Sequence, residues 1–92
     1  MNNLIKLKNI GPVLAEKLIK AGITSPEILK STGSENAFIK LKMIDETACF
    51  NTLCALEGAI QDVRWHDLSA ERKKELNNYF RMIEASLPLS DA

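Results

Sequence analysis

The segment LIKLKNIGPVLAEKLI, residues 4–19, decides the fold. Apolar residues at helical spacing lie on both sides of a turn at Asn9-Ile10-Gly11. Leu4 and Leu7 predict the apolar face of a first helix. Pro12 suits the first position of a second helix, because its fixed φ fits there and its missing N–H would have been unpaired anyway. The segment therefore predicts a hairpin of two helices.

This hairpin follows the helix-hairpin-helix pattern, h-x-x-h-x-G-h-G-x-x-x-A-x-x-h-h, with one mismatch. Asn9 stands where the pattern has its first glycine, and Asn is the non-glycine residue that best tolerates positive φ. Gly11 lacks a Cβ, which lets the backbone turn sharply and approach another surface closely. We expect Ile10 to point into the core and Ala15 to be small enough for the two helices to cross closely.

The outer corner of the hairpin is the candidate functional surface. The N–H groups near Gly11, Val13 and Leu14 have no helical partners, and the helix dipole favours an anion there. Lys8 flanks the corner, and Lys17 is expected near it. We therefore predict contact with DNA phosphates or a partner protein through Lys8, Asn9, Gly11, Val13, Leu14 and Lys17. Such a hairpin can also serve packing alone, so the motif does not choose between these roles.

Charge argues against strong binding to nucleic acid. Twelve basic residues balance twelve acidic ones, whereas an autonomous nucleic-acid-binding domain usually has a basic excess. Residues 1–42 hold seven lysines against three glutamates, a balance of +4, and residues 43–92 have a balance of −4. Any contact with DNA is therefore expected in the N-terminal half, with modest and strongly salt-dependent affinity.

Length and composition predict one all-α domain over residues 1–92, with frayed ends at about 1–3 and 88–92. No apolar run is long enough to span a membrane, so a cytoplasmic location is the expectation. Cys49 and Cys54 are five positions apart on one predicted helix, so their side chains diverge, and we interpret both as reduced core residues.

Helix start and stop signals predict five or six helices in all. The second helix ends at Ala21-Gly22, and Ser25 caps a third helix that Gly33 ends. A fourth helix, capped by Ser34, extends to about Ile44. We expect Ala37, Phe38, Leu41 and Ile44 on its buried face and Lys40 and Lys42 on its solvated side.

The fifth helix is predicted from Glu46 to Asp62 with Asp45 as its cap. It is apolar around most of its circumference, which is typical of a helix buried by several neighbours. Gly58 in its interior indicates a close helix crossing. The last helix is predicted from about Ala70 to Ser86, after which Leu87-Pro88-Leu89 ends it.

The connector Val63–Leu68 holds the chain's Trp and His. A His beside an Asp can serve as a general base, but the sequence places no nucleophile beside it and no set of residues with metal-ligand spacing. We therefore expect no catalysis, metal or cofactor. The structural interpretation has Trp65 anchoring the connector in the core and Asp67 or Ser69 capping the last helix.

Three motifs, in this order, resemble the C-terminal domain of the TfoX (Sxy) regulators of bacterial competence. They are NIGPVLAEKLIKAGI at residues 9–23, CxxxxCALEGAIQ at 49–61 and RWHDL at 64–68, and the likeness covers about residues 4–84. The resemblance implies a helical, non-enzymatic module of transcriptional control that acts with a cyclic-AMP-responsive activator.

Two functional hypotheses follow. In one, the module is an adaptor that docks a transcription regulator protein. In the other, it contacts the DNA backbone weakly and without reading sequence. Neutral net charge favours the adaptor, whereas the hairpin and the positive N-terminal half favour DNA. The sequence does not set the oligomeric state.

Overall fold

A computed structural model describes residues 3–86 of the chain. Within that range it holds five α-helices and no strand, so the expected all-α class is confirmed. The helices are α1 (Pro12–Lys20), α2 (Pro26–Thr32), α3 (Ser34–Ile44), α4 (Phe50–Gln61) and α5 (Ala70–Ser86). Single 3-10 turns cover Asn3–Lys6 and Trp65–Asp67. The frayed ends predicted at 1–3 and 88–92, and the stop at Leu87-Pro88-Leu89, lie outside the described residues except for Asn3.

Helix α4 is the buried element around which the others pack. Every residue from 53 to 59 is buried, and α4 contacts α2, α3, α5 and the 3-10 turn before α5. Burial on all sides explains why its apolar residues cover the circumference instead of forming one stripe. The predicted central helix is confirmed, but it begins at Phe50 rather than Glu46.

The loop over residues 45–49 explains this late start. The Asp45 carboxylate accepts hydrogen bonds from the Thr47 N–H at 3.0 Å and from the Thr47 hydroxyl at 2.5 Å. Such local bonds compete with the helix. Cys49, not Asp45, is the N-cap of α4, and its own N–H donates to the Thr52 hydroxyl at 3.4 Å. Cys49 is exposed, so its assignment to the core was wrong, whereas Cys54 is buried as expected.

Lys42 also holds this loop, which corrects its expected place on the solvated side. Lys42 is only 8% exposed. The ammonium donates to the carbonyls of Glu46 at 2.7 Å and Ala48 at 2.9 Å and pairs with Glu84 of α5 at 2.7 Å. A buried ammonium requires such partners, because an unpaired charge in the interior is costly. Ile44, expected on the buried face, is 51% exposed at the end of α3.

Other helix ends follow local sequence signals. Ser25 caps α2 by accepting the Ile28 N–H at 3.2 Å, and Gly33 ends α2 at a φ of +86°. Ser34 was predicted to be the N-cap of α3, and this was wrong. Gly33 is the N-cap, and the Ser34 hydroxyl donates to the buried carboxylate of Glu57 at 2.6 Å.

Glu57 joins three helices through its carboxylate. The Arg72 guanidinium of α5 donates to it at 3.0 Å, and Ser34 of α3 also donates. Burial raises the pKa of Glu57, but hydrogen bonds from Arg72, Ser34 and Gln61 outweigh burial and hold that pKa below its usual range. The charged carboxylate is therefore part of the native core.

The first half of the hairpin is shorter than predicted. Asn3–Lys6 forms one 3-10 turn, and the Leu7 N–H donates to the Leu4 carbonyl at 3.0 Å. The hairpin turn follows at once and leaves no room for an α-helix. Leu4 and Ile10 are nonetheless buried, so the turn is fixed to the core as expected. Within residues 3–86, no helix has the length and apolar character to cross a bilayer.

Candidate functional site: the hairpin corner

Asn9 fixes the hairpin to the connector between α4 and α5. Its backbone has a φ of +71°, the conformation that the missing glycine would have supplied. Its side-chain amide donates to the Val63 carbonyl at 2.9 Å and, more weakly, to the Ala55 carbonyl at 3.5 Å, and its Oδ1 accepts the Trp65 N–H at 3.1 Å. Asn9 was predicted to contact DNA or a partner; its side-chain amide is bonded within the protein, and the residue also lines a surface cavity.

Gly58 makes this junction possible. A Cβ at this position would lie 2.5 Å from Asn9 Nδ2 and 2.7 Å from the Val63 carbonyl oxygen. Both distances are too short for real atoms, so only glycine lets the hairpin and the connector lie directly against α4. The neighbours of Gly58 are a turn and a loop, where a helix crossing had been expected.

Gly11 differs from its expected role in the turn. Its φ of −92° and ψ of −179° are extended, so the strained conformation belongs to Asn9. It is the N-cap of α1 and offers no side chain to the first N–H groups of the helix, which include those of Val13 and Leu14. A Cβ at Gly11 would meet nothing within 4 Å. Because Gly11 has no side chain, the first N–H groups of α1 stay uncovered at the outer face of the corner.

Both lysines assigned to the corner have carboxylate partners. Lys8 pairs with Asp62 at 3.1 Å, and Lys17 pairs with Asp45 at 2.5 Å. Hydrogen bonds from Lys17 and then from Thr47 lower the pKa of Asp45 to about 2 from its usual 3.8. The charge that the sequence offered for phosphate contact is thus partly neutralised within the fold.

The residues predicted to have structural roles lie in the core and in the connector before α5. Ala15 is fully buried in the core. Trp65 is partly buried against the core, and its ring stacks on His66 with centroids 4.4 Å apart. Asp67 does not cap α5. Ser69 does, by accepting the Arg72 N–H at 3.0 Å.

An apolar cavity of about 350 Å³ lies beside the N-terminus of α1. Its walls come from the start of α1, the last turn of α3, the loop before α4 and the first turn of α4. Val13, which is one of its lining residues, is 68% exposed. The cavity is lined by Gly11, Pro12, Val13, Leu14, Lys17, Leu41, Asp45, Ala48 and Thr52.

A second, more polar cavity of about 600 Å³ adjoins the first. It is lined by Asn9, Ile10, Gly11, Leu14, Asn51, Thr52, Ala55, Arg64 and Trp65. Arg64 is exposed and forms no ion pair with any residue between 3 and 86. We call the two cavities together the corner groove.

Sequence reasoning missed half of this groove. Leu41, Ala48, Asn51 and Arg64 lie far from the hairpin along the chain and reach it only through the packing of α3 and α4. Arg64 lies within the RWHDL motif, but nothing in that motif indicates its exposure. In the described part of the chain, no three acidic, cysteine or histidine side chains are grouped so as to hold a metal ion.

The family suggested by the motifs is confirmed by comparison with family models. Residues 1–80 match the model of the TfoX C-terminal domain. A comparison with curated proteins found no match.

Two crystal structures of proteins from Listeria monocytogenes have the same fold as this chain. An uncharacterized protein in a triclinic form is 46% identical, with a TM-score of 0.87 over 88% of this chain and 92% of its own. A protein of unknown function in a tetragonal form is also 46% identical, with a TM-score of 0.87 over 89% of this chain and 100% of its own.

Proposed function

The chain belongs to the TfoX C-terminal domain family, and we propose that it is a non-enzymatic docking module of transcriptional or competence regulation in the cytoplasm. Its partner in this proposal is a transcription regulator protein. Its docking surface is the apolar part of the corner groove, with exposed Val13 on the edge and Leu14 and Leu41 within.

The pairing of the corner lysines carries this proposal. Lys8 and Lys17 already have carboxylate partners, while the space beside them is lined mainly by apolar side chains. A phosphate gains little from Lys17, whose partner Asp45 is mostly buried and also bonded to Thr47, and nothing from an apolar wall. A protein partner gains from burying apolar surface at about 25 cal/mol per Å². The corner is therefore better suited to a protein than to a nucleic acid.

The test compares exposed apolar residues inside and outside the groove. Val13→Ser changes the edge of the groove, and Met43→Ser changes an α3 residue of similar exposure (63%) that does not line it. The tagged chain is isolated from its own cells, and associated transcription regulators are identified and quantified by mass spectrometry. We expect a regulator to be lost with Val13→Ser and retained with Met43→Ser. Equal retention by both variants would contradict the proposal.

Weak binding to the DNA backbone is the second candidate function. The N–H groups at the start of α1 have no side-chain cap, and the pair between Lys8 and Asp62 is exposed, with side chains 47% and 79% accessible. Exposed pairs are weak, so a phosphate could replace Asp62 at little cost. This route would give non-specific binding with a dissociation constant of roughly 10⁻⁴–10⁻⁶ M at physiological salt.

A titration of short duplex DNA at low salt tests this second candidate. If the corner binds phosphate, Lys8→Ala should weaken binding equally for all sequences and lower the salt slope by about 1. Gly11→Val should abolish binding, because the added side chain would occupy the open space at the start of α1 that a phosphate must enter to reach the N–H groups. Its effect on folding should be limited to about 1 kcal/mol for a poorer N-cap. DNA binding that is equal in all three proteins would exclude the corner as a phosphate site.

A further inference from the structure

The two cavities of the corner groove form one continuous surface of mixed chemistry. They share Gly11, Leu14 and Thr52 as lining residues. On one side of this shared wall the lining is apolar, with Val13, Leu41 and Ala48. On the other side it is more polar and includes Asn51 and Arg64. A ligand lying across the shared wall would meet both chemistries.

Arg64 stands out among the charges around the groove. The two cavities are lined by two cations: Lys17 pairs with Asp45, whereas Arg64 has no carboxylate partner within residues 3–86. Arg64 is exposed and is one of the residues that line the cavity beside Trp65. A guanidinium binds carboxylates through two parallel hydrogen bonds, and an unpaired one incurs no cost of breaking an internal pair.

We propose that the corner groove binds a segment of a partner protein that carries a bulky apolar residue and, a few positions away, an acidic residue. The apolar side chain enters the cavity beside Val13 and Leu41, and the carboxylate pairs with Arg64. This inference rests on the proposed docking function and adds the chemistry of the docked segment.

The occupant follows from complementarity with both halves of the groove. A nucleic acid could satisfy Arg64 with a phosphate, but it would leave the apolar half uncovered. A wholly apolar segment would cover that half but leave the guanidinium beside it without a partner. Successive residues of an extended segment are spaced by about 3.3 Å, so an apolar and an acidic residue a few positions apart reach neighbouring cavities.

The test uses random displayed peptides of about a dozen residues, a length that spans both cavities when extended. The 92-residue chain is immobilised, and peptides are selected on the unmodified protein and on Arg64→Glu. The matched control is Arg81→Glu, which makes the same change of charge on an exposed α5 residue outside both cavities. Circular dichroism and thermal melts verify that all three proteins fold alike.

On the unmodified protein we expect enriched peptides to combine Asp or Glu with a bulky apolar residue. Arg64→Glu should weaken these peptides roughly tenfold or more, because like charges then face each other, and Arg81→Glu should not. Selection on Arg64→Glu should return Lys or Arg in place of the acid and keep the apolar residue. Backbone amide shifts on adding a selected peptide should be largest at Gly11, Leu14 and Thr52.

Two results would overturn the inference and distinguish its failure from that of the docking function. Enriched peptides that are apolar without an acid, and that bind Arg64→Glu as well as the control, would exclude the role of Arg64 but leave apolar docking intact. Failure to enrich any peptide, or enriched peptides that bind Val13→Ser and Gly11→Val undiminished, would exclude the groove and the docking function with it.

Discussion

Asn9 combines two properties that no other residue in the hairpin has. Its backbone occupies the left-handed region that a glycine would favour. Its amide also supplies a donor and an acceptor to the connector holding Val63 and Trp65. A glycine would allow the turn but leave those two backbone groups without their partner. Asn9 therefore joins the N-terminal hairpin to the central helix and its connector.

This dual role predicts a graded series of variants. Asn9→Ala should destabilise the chain by about 3–4 kcal/mol, from roughly 1–2 kcal/mol for a left-handed alanine and about 1 kcal/mol for each of the two hydrogen bonds to Val63 and Trp65. Asn9→Gly should destabilise the chain less, because glycine loses the side-chain hydrogen bonds but adopts the left-handed backbone conformation without strain. Urea denaturation measures both. Equal losses in the two variants would contradict the backbone part of the argument.

The two cysteines should differ in reactivity. The backbone N–H of Thr52 lowers the pKa of the Cys49 thiol, which is exposed at the N-cap of α4. Burial raises the pKa of the Cys54 thiol. Since the thiolate is the reactive form, iodoacetamide should modify Cys49 in the folded chain and Cys54 only after unfolding. Mass spectrometry of the digested protein would show this, and similar rates at both positions would contradict it.

At the scale of elements, two glycines near the hairpin have opposite roles in packing. Gly58 allows the hairpin turn and the connector to lie on α4, where a Cβ would collide with the Val63 carbonyl. Gly11 has free space around it and leaves the start of α1 open. One glycine is thus needed for packing, and the other leaves a surface uncovered.

A matched pair of alanine substitutions tests this difference. Gly58→Ala should destabilise the chain by about 1–3 kcal/mol, as expected for an extra methyl group in a filled space. Gly11→Ala should change stability by less than about 1 kcal/mol, the usual range for N-cap exchanges. Thermal denaturation of both variants gives the comparison. A Gly58→Ala protein as stable as the parent would show that the connector can move away from α4.

The ion pair between Lys17 of α1 and Asp45 of the loop before α4 predicts that the stability of the fold depends on pH. Asp45 has a folded pKa of about 2, lower than its usual 3.8. Its contribution to stability is therefore complete above about pH 4 and is lost as the pH falls towards 2. Lys17→Met should cost about 0.2–1 kcal/mol near neutral pH, since Lys17 is 41% exposed, and the difference should shrink as the pH falls and vanish below about pH 2.

Lys20→Met is the control for this measurement, because Lys20 lies on the same helix and forms no ion pair with the described residues. Its stability should follow that of the parent at each pH. A constant difference between Lys17→Met and the parent down to pH 2 would show that the Asp45 carboxylate is not the partner that matters.

At the scale of the whole molecule, the charge asymmetry of the sequence is partly cancelled by folding. Residues 1–42 carry the positive balance and residues 43–92 the negative one. Lys8, Lys17 and Lys42 of the first part pair with Asp62, Asp45 and Glu84 of the second. The positive half therefore presents fewer free cations than its composition indicated, which weakens the case for DNA.

The limits of the sequence-based prediction follow from the same contacts. Pro12, Ser25 and Gly33 act within one turn of the chain, so the helix ends they mark could be predicted locally. The pair of Lys17 and Asp45 joins residues 28 positions apart, and the bond from Asn9 to Trp65 joins residues 56 apart. Such contacts depend on how the helices pack, so the corner groove was visible only in the structure.

The central claim, that the hairpin corner docks a protein, is tested most directly by photo-crosslinking in living cells. A benzophenone amino acid is placed at Val13 or, as control, at Met82, which is similarly exposed (61%) but lies on α5. We expect position 13 to give a discrete crosslinked product containing a transcription regulator, lost when Gly11→Val is added, and position 82 to give none. A product at position 13 that contains nucleic acid, or a regulator crosslinked equally from both positions, would contradict the claim.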